Sequence, residues 1–167
     1  ANGITNAYSE PEKLGSDRWA AMVGAFDQTT SAVFVVDCGT AVTLDLISAE
    51  GQHQGGLITP GLSLLQQCLQ TGTEIDFSAV WESGELDSLG QSTEQCIQQG
   101  CLGSILGIIS RTYLHSMQRF GDAAIILTGG DAGLLQSKLE FKSILIPDLV
   151  LHGLAVIQRS KRESIKS

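Results

Sequence analysis

Two short polar segments stand where a packed core would gain nothing from them: LGSDRW, Leu14 to Trp19, and VVDCGTAVTLD, Val35 to Asp45. Each gathers acids, hydroxyls or glycine within a few residues. Phosphoryl transfer asks for such a set: backbone N–H groups and a hydroxyl for an anion, and a carboxylate for its counter-cation. The second segment reads as a buried strand from Val33, a tight turn through Asp37, Cys38, Gly39 and Thr40, and an alternating strand from Ala41 to Ile47. The alternation puts Thr43 and Asp45 on one face, looking into a cleft beside Asp37 and Thr40. A plain hairpin explains the turn residues but not an inward Asp45.

In LGSDRW, Asp17 is either an N-cap or a carboxylate that accepts a hydroxyl proton; taken alone, the cap is the simpler reading. An aspartate, ordinarily of pKa ~3.9, is ionised at neutral pH and suits either role. Arg18 pairs with a surface acid or forks onto a substrate carboxylate, and in isolation the surface pair is favoured. In ILTGGDAGLL, a strand ends in Gly129 and Gly130 before Asp131, leaving backbone that a flat base or ribose can approach. Thr93, beside a Ser92 cap, reads equally as a first-turn residue or a contact. His53, His115 and His152 are scattered and receive no ligand role.

These residues need elements to hold them. A helix is predicted from about Asp17 to Phe26, with Trp19, Met22, Val23 and Phe26 on its apolar face. Strands at Val33 to Val36, Ala41 to Ile47 and Gly55 to Thr59 make an antiparallel meander. A short helix at Leu62 to Leu69 precedes a polar loop or lid from Thr71 to Gly90, where the acids around Trp81 read as a solvated face. Ser92 and Gln95 form a capping-box signature for a helix reaching about Phe120, on the order of 40 Å long. Gly100, Gly103 and Gly107 inside it each cost up to ~1 kcal/mol relative to alanine. That cost predicts close approach of another backbone, either the sheet or a second subunit. Strand Ala123 to Leu127, helix Ala132 to Leu139, strand Ser143 to Ile146 and helix Leu149 to Gln158 then lead to a basic tail.

The expected fold is α/β: an actin-like, ribonuclease H-like lobe with three antiparallel strands followed by alternating helices and parallel strands. Residues 1–32 are assigned to the end of a first lobe, 33–160 to a whole second lobe, and 161–167 to the tail. The chain has 167 residues, 18 acidic against 10 basic side chains, and a net charge of −8. That charge argues against nucleic acid or an acidic membrane as partner. It also means that bound phosphate must rely on N–H groups, a metal and a few placed cations such as Arg18. Cys38, Cys68, Cys96 and Cys101 show no metal spacing and are expected to be free, buried thiols in a reducing cytoplasm. No apolar run approaches ~18 residues.

Together, NAYSEPEKLGSDRWAAMVGA, VVDCGTAVTLDLI, GGLITPGLSLL, STEQCIQQG, ILTGGDA and LVLHGL resemble the type III pantothenate kinases of the actin and sugar-kinase superfamily. The resemblance implies ATP-dependent phosphorylation of the primary hydroxyl of pantothenate, the first step toward coenzyme A. It implies Asp17 as general base; Tyr8, Gly15, Ser16, Asp17, Arg18 and Thr93 as substrate contacts; and Gly39, Thr40, Gly129 and Gly130 as ATP contacts. It further implies K⁺ or NH₄⁺ at Asp37, Mg²⁺ arriving with ATP, and a homodimer with the active site near its interface. The family begins with a strand and an Asp-x-Gly-Asn-Thr/Ser phosphate loop that has no counterpart here. The chain is therefore expected to be a fragment with little activity of its own. The alternatives are a non-catalytic dimeric accessory relative and another actin-like phosphotransferase or polyphosphate hydrolase.

Overall fold

A computed structural model of the chain describes residues 2–74 and 89–166, with side chains through 163. At its centre lies a five-stranded sheet in the order β3-β2-β1-β4-β5. The strands are β1 (Ala32–Cys38), β2 (Ala41–Ile47), β3 (His53–Pro60), β4 (Ala123–Thr128) and β5 (Ser143–Leu145). β1 pairs antiparallel with β2, β2 antiparallel with β3, and β1, β4 and β5 run parallel. This is the predicted actin-like order. β1 is central, so both faces are covered, and its first five residues, AVFVV, are accordingly all apolar.

Helices close both faces. Phe34, Val36, Leu44 and Ile125 pack with Ile105 and Ile109 of α3 (Thr93–Phe120), beside α2 (Leu62–Gly72) and the short α4 (Ala132–Gln136). Val33, Val35, Ile47 and Ile126 pack with Met22 and Val23 of α1 (Ser16–Asp27) and Leu149 of α5 (Leu149–Lys166). The alternation read for β2 is borne out: Val42, Leu44 and Leu46 join the first core and Ile47 the second.

Several local expectations change. Asp37 and Cys38 belong to β1, and the turn itself is only Gly39–Thr40, closed by Gly39 N–H donating to Ala41 O at 3.1 Å. α4 stops at Gln136, and α5 does not end at Gln158 but carries the basic residues on as helix to Lys166. The opening stretch is not merely polar: Ile4 is buried, and Thr5 bridges to Gln52 beside β3. Cys38 and Cys101 are buried as expected, but Cys68 and Cys96 are exposed; all four thiols are free. The predicted lid falls largely on residues 75–88, outside the described residues, as does Trp81. Among the described residues no helix is long and apolar enough to cross a membrane.

Ser92 Oγ accepts from Gln95 N–H at 3.3 Å, so α3 starts with the predicted Ser92 cap, but the Gln95 Oε1 of the signature accepts from Gln91 N–H at 2.8 Å, one residue before the cap. Its glycines are not sites of close packing within the chain: a Cβ at Gly100, Gly103 or Gly107 would meet nothing within 4 Å. Of the two expected causes, the sheet does not approach these glycines, although Ile105 and Ile109 of the same helix pack on it. Close backbone contact occurs at the crossing of α1 and α5 instead, where a Cβ on Gly153 would lie 1.8 Å from Ala20 O and one on Gly24 would lie 2.6 Å from Leu149 O. Both atoms are backbone and cannot swing away, so the helices must separate to admit even a methyl group. Gly153→Ala is expected to destabilise the chain by about 3 kcal/mol, the upper range for overpacking. Gly133→Ala, whose Cβ meets nothing within 4 Å, serves as the tolerated control. Urea unfolding with coincident midpoints for Gly153→Ala and the parent would contradict the tight crossing.

Candidate active site

Arg18 lies in the first turn of α1 and is 6% exposed, although it carries a charge. Burial of a guanidinium is tolerated only where a carboxylate and further acceptors meet its N–H groups. Asp45 of β2, 3% exposed, provides the carboxylate: Arg18 Nε donates to Oδ2 at 2.9 Å and Nη2 to Oδ1 at 2.5 Å, a bidentate fork. Nη1 donates to Tyr8 Oη at 2.8 Å. Sequence reasoning left Arg18 as a surface partner or a fork for substrate. The structure instead closes that fork on Asp45, which points not into an open cleft but into this buried pair.

His53 completes the set. Its Nε2 lies 3.0 Å from Asp45 Oδ1, and a carboxylate only accepts, so Nε2 carries the proton. Nδ1 then accepts the Ala7 N–H at 3.5 Å, and one neutral ring tautomer serves both contacts. The Tyr8 ring lies stacked on the imidazole, with centroids 6.1 Å apart, and Arg18 Cζ sits 5.7 Å from the Tyr8 centroid. Burial alone would raise the Asp45 pKa, but the hydrogen bonds from His53 and Arg18 prevail and hold it below the usual carboxylate range. The stability it confers is therefore complete above the unfolded value, ~3.9, and is lost as pH falls through the lower folded value. Asp45, first through its hydrogen bond, also makes the Arg18 guanidinium harder to deprotonate.

His53 received no role in sequence reasoning, because its spacing from the other histidines suggested no ligand set. The signal was the adjacent Gly55–Gly56 pair. Along β2 and β3, Asp45 faces Gly56 while Ile47 faces His53, so β3 carries one extra residue, with Gly55 at φ +102°. Opposed residues share a sheet face, so this bulge puts His53 rather than Gln54 on the face of Asp45.

Asp17 is the second residue of α1, not its N-cap; Gly15 holds the cap position without a side-chain bond. Its exposed carboxylate accepts the Arg18 N–H at 2.8 Å through Oδ1, and the helix N-terminus favours its negative charge. Asp37 lies near enough to feel that charge: burial first, and then Asp17, raise the Asp37 pKa. Gly129, at φ +93°, brings the end of β4 against the end of β1, where a Cβ would stand 2.6 Å from both Asp37 Oδ1 and Cys38 O. Gly130 is open, with nothing within 4 Å of a Cβ, and Asp131 N–H donates to Cys38 O at 3.0 Å. Burial raises the Asp131 pKa, and burial with the charges of Asp37 and Asp131 pushes the Cys38 thiol to about 12, which leaves it inert.

The fold thus gathers Asp37, Gly39, exposed Thr40, Gly129 and Gly130 at the carboxyl ends of β1 and β4, with Asp17 close by and Gly15, Ser16, Arg18 and Tyr8 at the adjoining end of α1. Thr93 stands apart. It heads α3 on the opposite sheet face and lines a groove of about 880 Å³ with Leu65, Cys68, Leu69, Gly90 and Ile97. The half-buried Asp37 carboxylate is a hard oxygen ligand whose ionisation its surroundings oppose, and a monovalent cation would relieve that opposition. Among the described residues no group of three or more His, Cys, Asp or Glu side chains is arranged to hold a metal by itself.

Comparison with known proteins places the chain in a family. The sequence model of the type III pantothenate kinase family matches residues 1–115. A type III pantothenate kinase of Pseudomonas paraeruginosa is 40% identical over 158 residues, covering 92% of this chain and 63% of the relative. Those of Azoarcus sp. and Nitrosococcus oceani are 38% and 37% identical, covering 93% and 94% of this chain and 58% and 61% of theirs. The chain therefore spans about three-fifths of the length of these curated relatives. Two solved structures share the fold. One is a Campylobacter jejuni protein described as a Baf family transcriptional activator, with TM-score 0.71, 23% identity, and coverage of 96% of this chain and 71% of that one. The other is the activator of 2-hydroxyisocaproyl-CoA dehydratase from Clostridium difficile, with TM-score 0.54, 14% identity, and coverage of 96% and 72%. By the extent of the family match and the identity to its members, the chain belongs to the type III pantothenate kinase family.

Proposed function

We propose that the protein carrying this chain phosphorylates the primary hydroxyl of pantothenate with ATP, the first step of coenzyme A synthesis, in the cytoplasm. The observation that supports this most is the placing of Asp17, exposed at the start of α1, beside Asp37 and the glycine ends of β1 and β4. In this reading the substrate lies along Tyr8, Gly15, Ser16 and Arg18, with its hydroxyl against Asp17. Asp17 takes the proton as the hydroxyl oxygen attacks the terminal phosphorus, and ADP leaves. Thr40 and the Gly39–Thr40 turn meet the phosphates, while the open backbone at Gly130, just past the close turn at Gly129, accepts the ribose or base. Mg²⁺ enters with ATP as part of that substrate. A K⁺ or NH₄⁺ ion held by Asp37 would supply positive charge beside the phosphates in a site otherwise rich in acids.

The protein is further read as a homodimer. Thr93 joins the substrate by way of the partner protomer, since in its own chain it lies across the sheet from Arg18. The glycines of α3, open within one chain, give a second backbone room to approach. Gly103→Leu is accordingly expected to shift sedimentation from dimer toward monomer; an unchanged dimer would reject this seam.

In the full-length protein, Asp17→Asn should lower kcat about 10²- to 10⁴-fold, the scale of general-base loss, with little change in either KM. ADP release measured with pantothenate present is the check, and near-parental turnover would sink the assignment. A parent protein without pantothenate-dependent turnover would favour the accessory reading.

For Asp37 the sign follows from its raised folded pKa. A group of this kind stabilises the fold relative to the unfolded chain below its unfolded value, and that contribution is lost as pH rises through the folded value. At pH 7 its charge therefore weighs against folding. Asp37→Asn should melt above the parent at pH 7, and the gap should close below about pH 4. Added K⁺ should raise the parent's melting temperature and leave that of Asp37→Asn unmoved. Equal melting curves at pH 7, or equal K⁺ responses, would exclude the role.

A further inference from the structure

Tyr8 comes from a loop and Arg18 from the first turn of α1, and the backbone alone does not fix where their long side chains point. Three residues of the β2–β3 hairpin hold them. Asp45 takes both side-on N–H groups of Arg18, while His53 binds the remaining face of Asp45 and, through Nδ1, the backbone of Ala7 next to Tyr8. The loop is tied to the same hairpin by Thr5 N–H donating to Gly51 O at 2.9 Å and His53 N–H donating to Thr5 O at 3.0 Å. Gly56 supplies the space: a Cβ there would lie 2.2 Å from Asp45 Oδ1 and 2.6 Å from Arg18 Nη2. Resting on the pantothenate reading above, we infer that Asp45, His53 and Gly56 are positioning residues for the acceptor substrate. They form a buried clamp that fixes the directions of the Arg18 guanidinium and the Tyr8 ring.

The clamp leaves Arg18 two unclaimed N–H groups, one on Nη1 and one on Nη2, after Nε, the other Nη2 proton and the other Nη1 proton are taken by Asp45 and Tyr8. Their directions are set by the fork and not by the substrate, so less ordering remains to be done on binding. The charge of Arg18 is already balanced by Asp45. The clamp therefore contributes direction more than net attraction, and its loss should weaken acceptor binding without touching the nucleotide contacts assigned to Thr40 and Gly130.

The test uses the full-length protein and spares the ion pair itself, since unpairing buried Arg18 endangers folding. His53→Ala should raise KM for pantothenate at least tenfold, with KM for ATP within twofold of the parent. His53→Gln, whose amide N–H can still reach Asp45, should restore KM for pantothenate to within about threefold. Parallel rises in both KM values, an unchanged KM for pantothenate, or identical behaviour of the Ala and Gln variants would overturn the positioning role. NMR gives a readout that does not depend on turnover. The Arg18 Nε–H resonance, assigned by its loss in Arg18→Lys, should be protected from solvent exchange in the parent and in His53→Gln, and exposed to it in His53→Ala. A parent that turns over no pantothenate defeats the kinase reading alone. The clamp is then decided by this resonance, and equal protection in all three proteins defeats it.

Discussion

The buried ion pair between Arg18 and Asp45 is the interaction on which the site depends. It joins the first turn of α1 to the second strand of the sheet, and so fixes where the helix N-terminus, and Asp17 with it, stands relative to β1. A buried pair of this kind adds little net stability, because the desolvation of both charges offsets most of their attraction. What it confers is geometry. Misplacing α1 would strand two charges without partners, so alternative packings of that helix are strongly disfavoured. Arg18, Asp45, His53 and Tyr8 thus act as a peg that locates one end of α1, while the crossing at Gly24 and Gly153 locates its middle.

The charge distribution follows from the same economy of position. The chain is acidic overall, and at the ends of β1 and β4 the carboxylates of Asp37 and Asp131 both resist ionisation, with Asp17 adding to the resistance at Asp37. The Arg18 guanidinium at the adjoining end of α1 is already neutralised by Asp45. Anionic phosphate entering such a place must bring or find cations, which suits a Mg²⁺-bound nucleotide and a monovalent ion. It must also find backbone N–H groups, and Gly130 leaves the backbone uncovered for that purpose.

β3 shows how an edge strand serves function. Its two glycines weaken it as a strand, and the positive φ of Gly55 would strain any other residue. The bulge they allow changes which side chain shares the face of Asp45, and the missing Cβ at Gly56 leaves room for the fork. A strand built only for sheet stability would place a β-branched residue there and exclude the pair.

Much was legible in the chain alone, because it is written in local patterns. The alternation of β2 placed Asp45 and Thr43 on one face; Ser92 and Gln95 marked the start of α3; and the ordered series of motifs from NAYSEPEKLGSDRWAAMVGA to LVLHGL carried the family resemblance. What the sequence could not decide were matters of register and crossing, which bring together residues far apart in the chain. Arg18 looked like a surface cation because its partner lies 27 positions away across a sheet. His53 looked idle because only a bulge turns it toward Asp45, and the glycines that matter for helix packing proved to be Gly24 and Gly153 rather than those of α3. Thr93 sits on the far side of the sheet from Arg18 for the same reason: local sequence sets the element, but packing of the two sheet faces decides which elements meet.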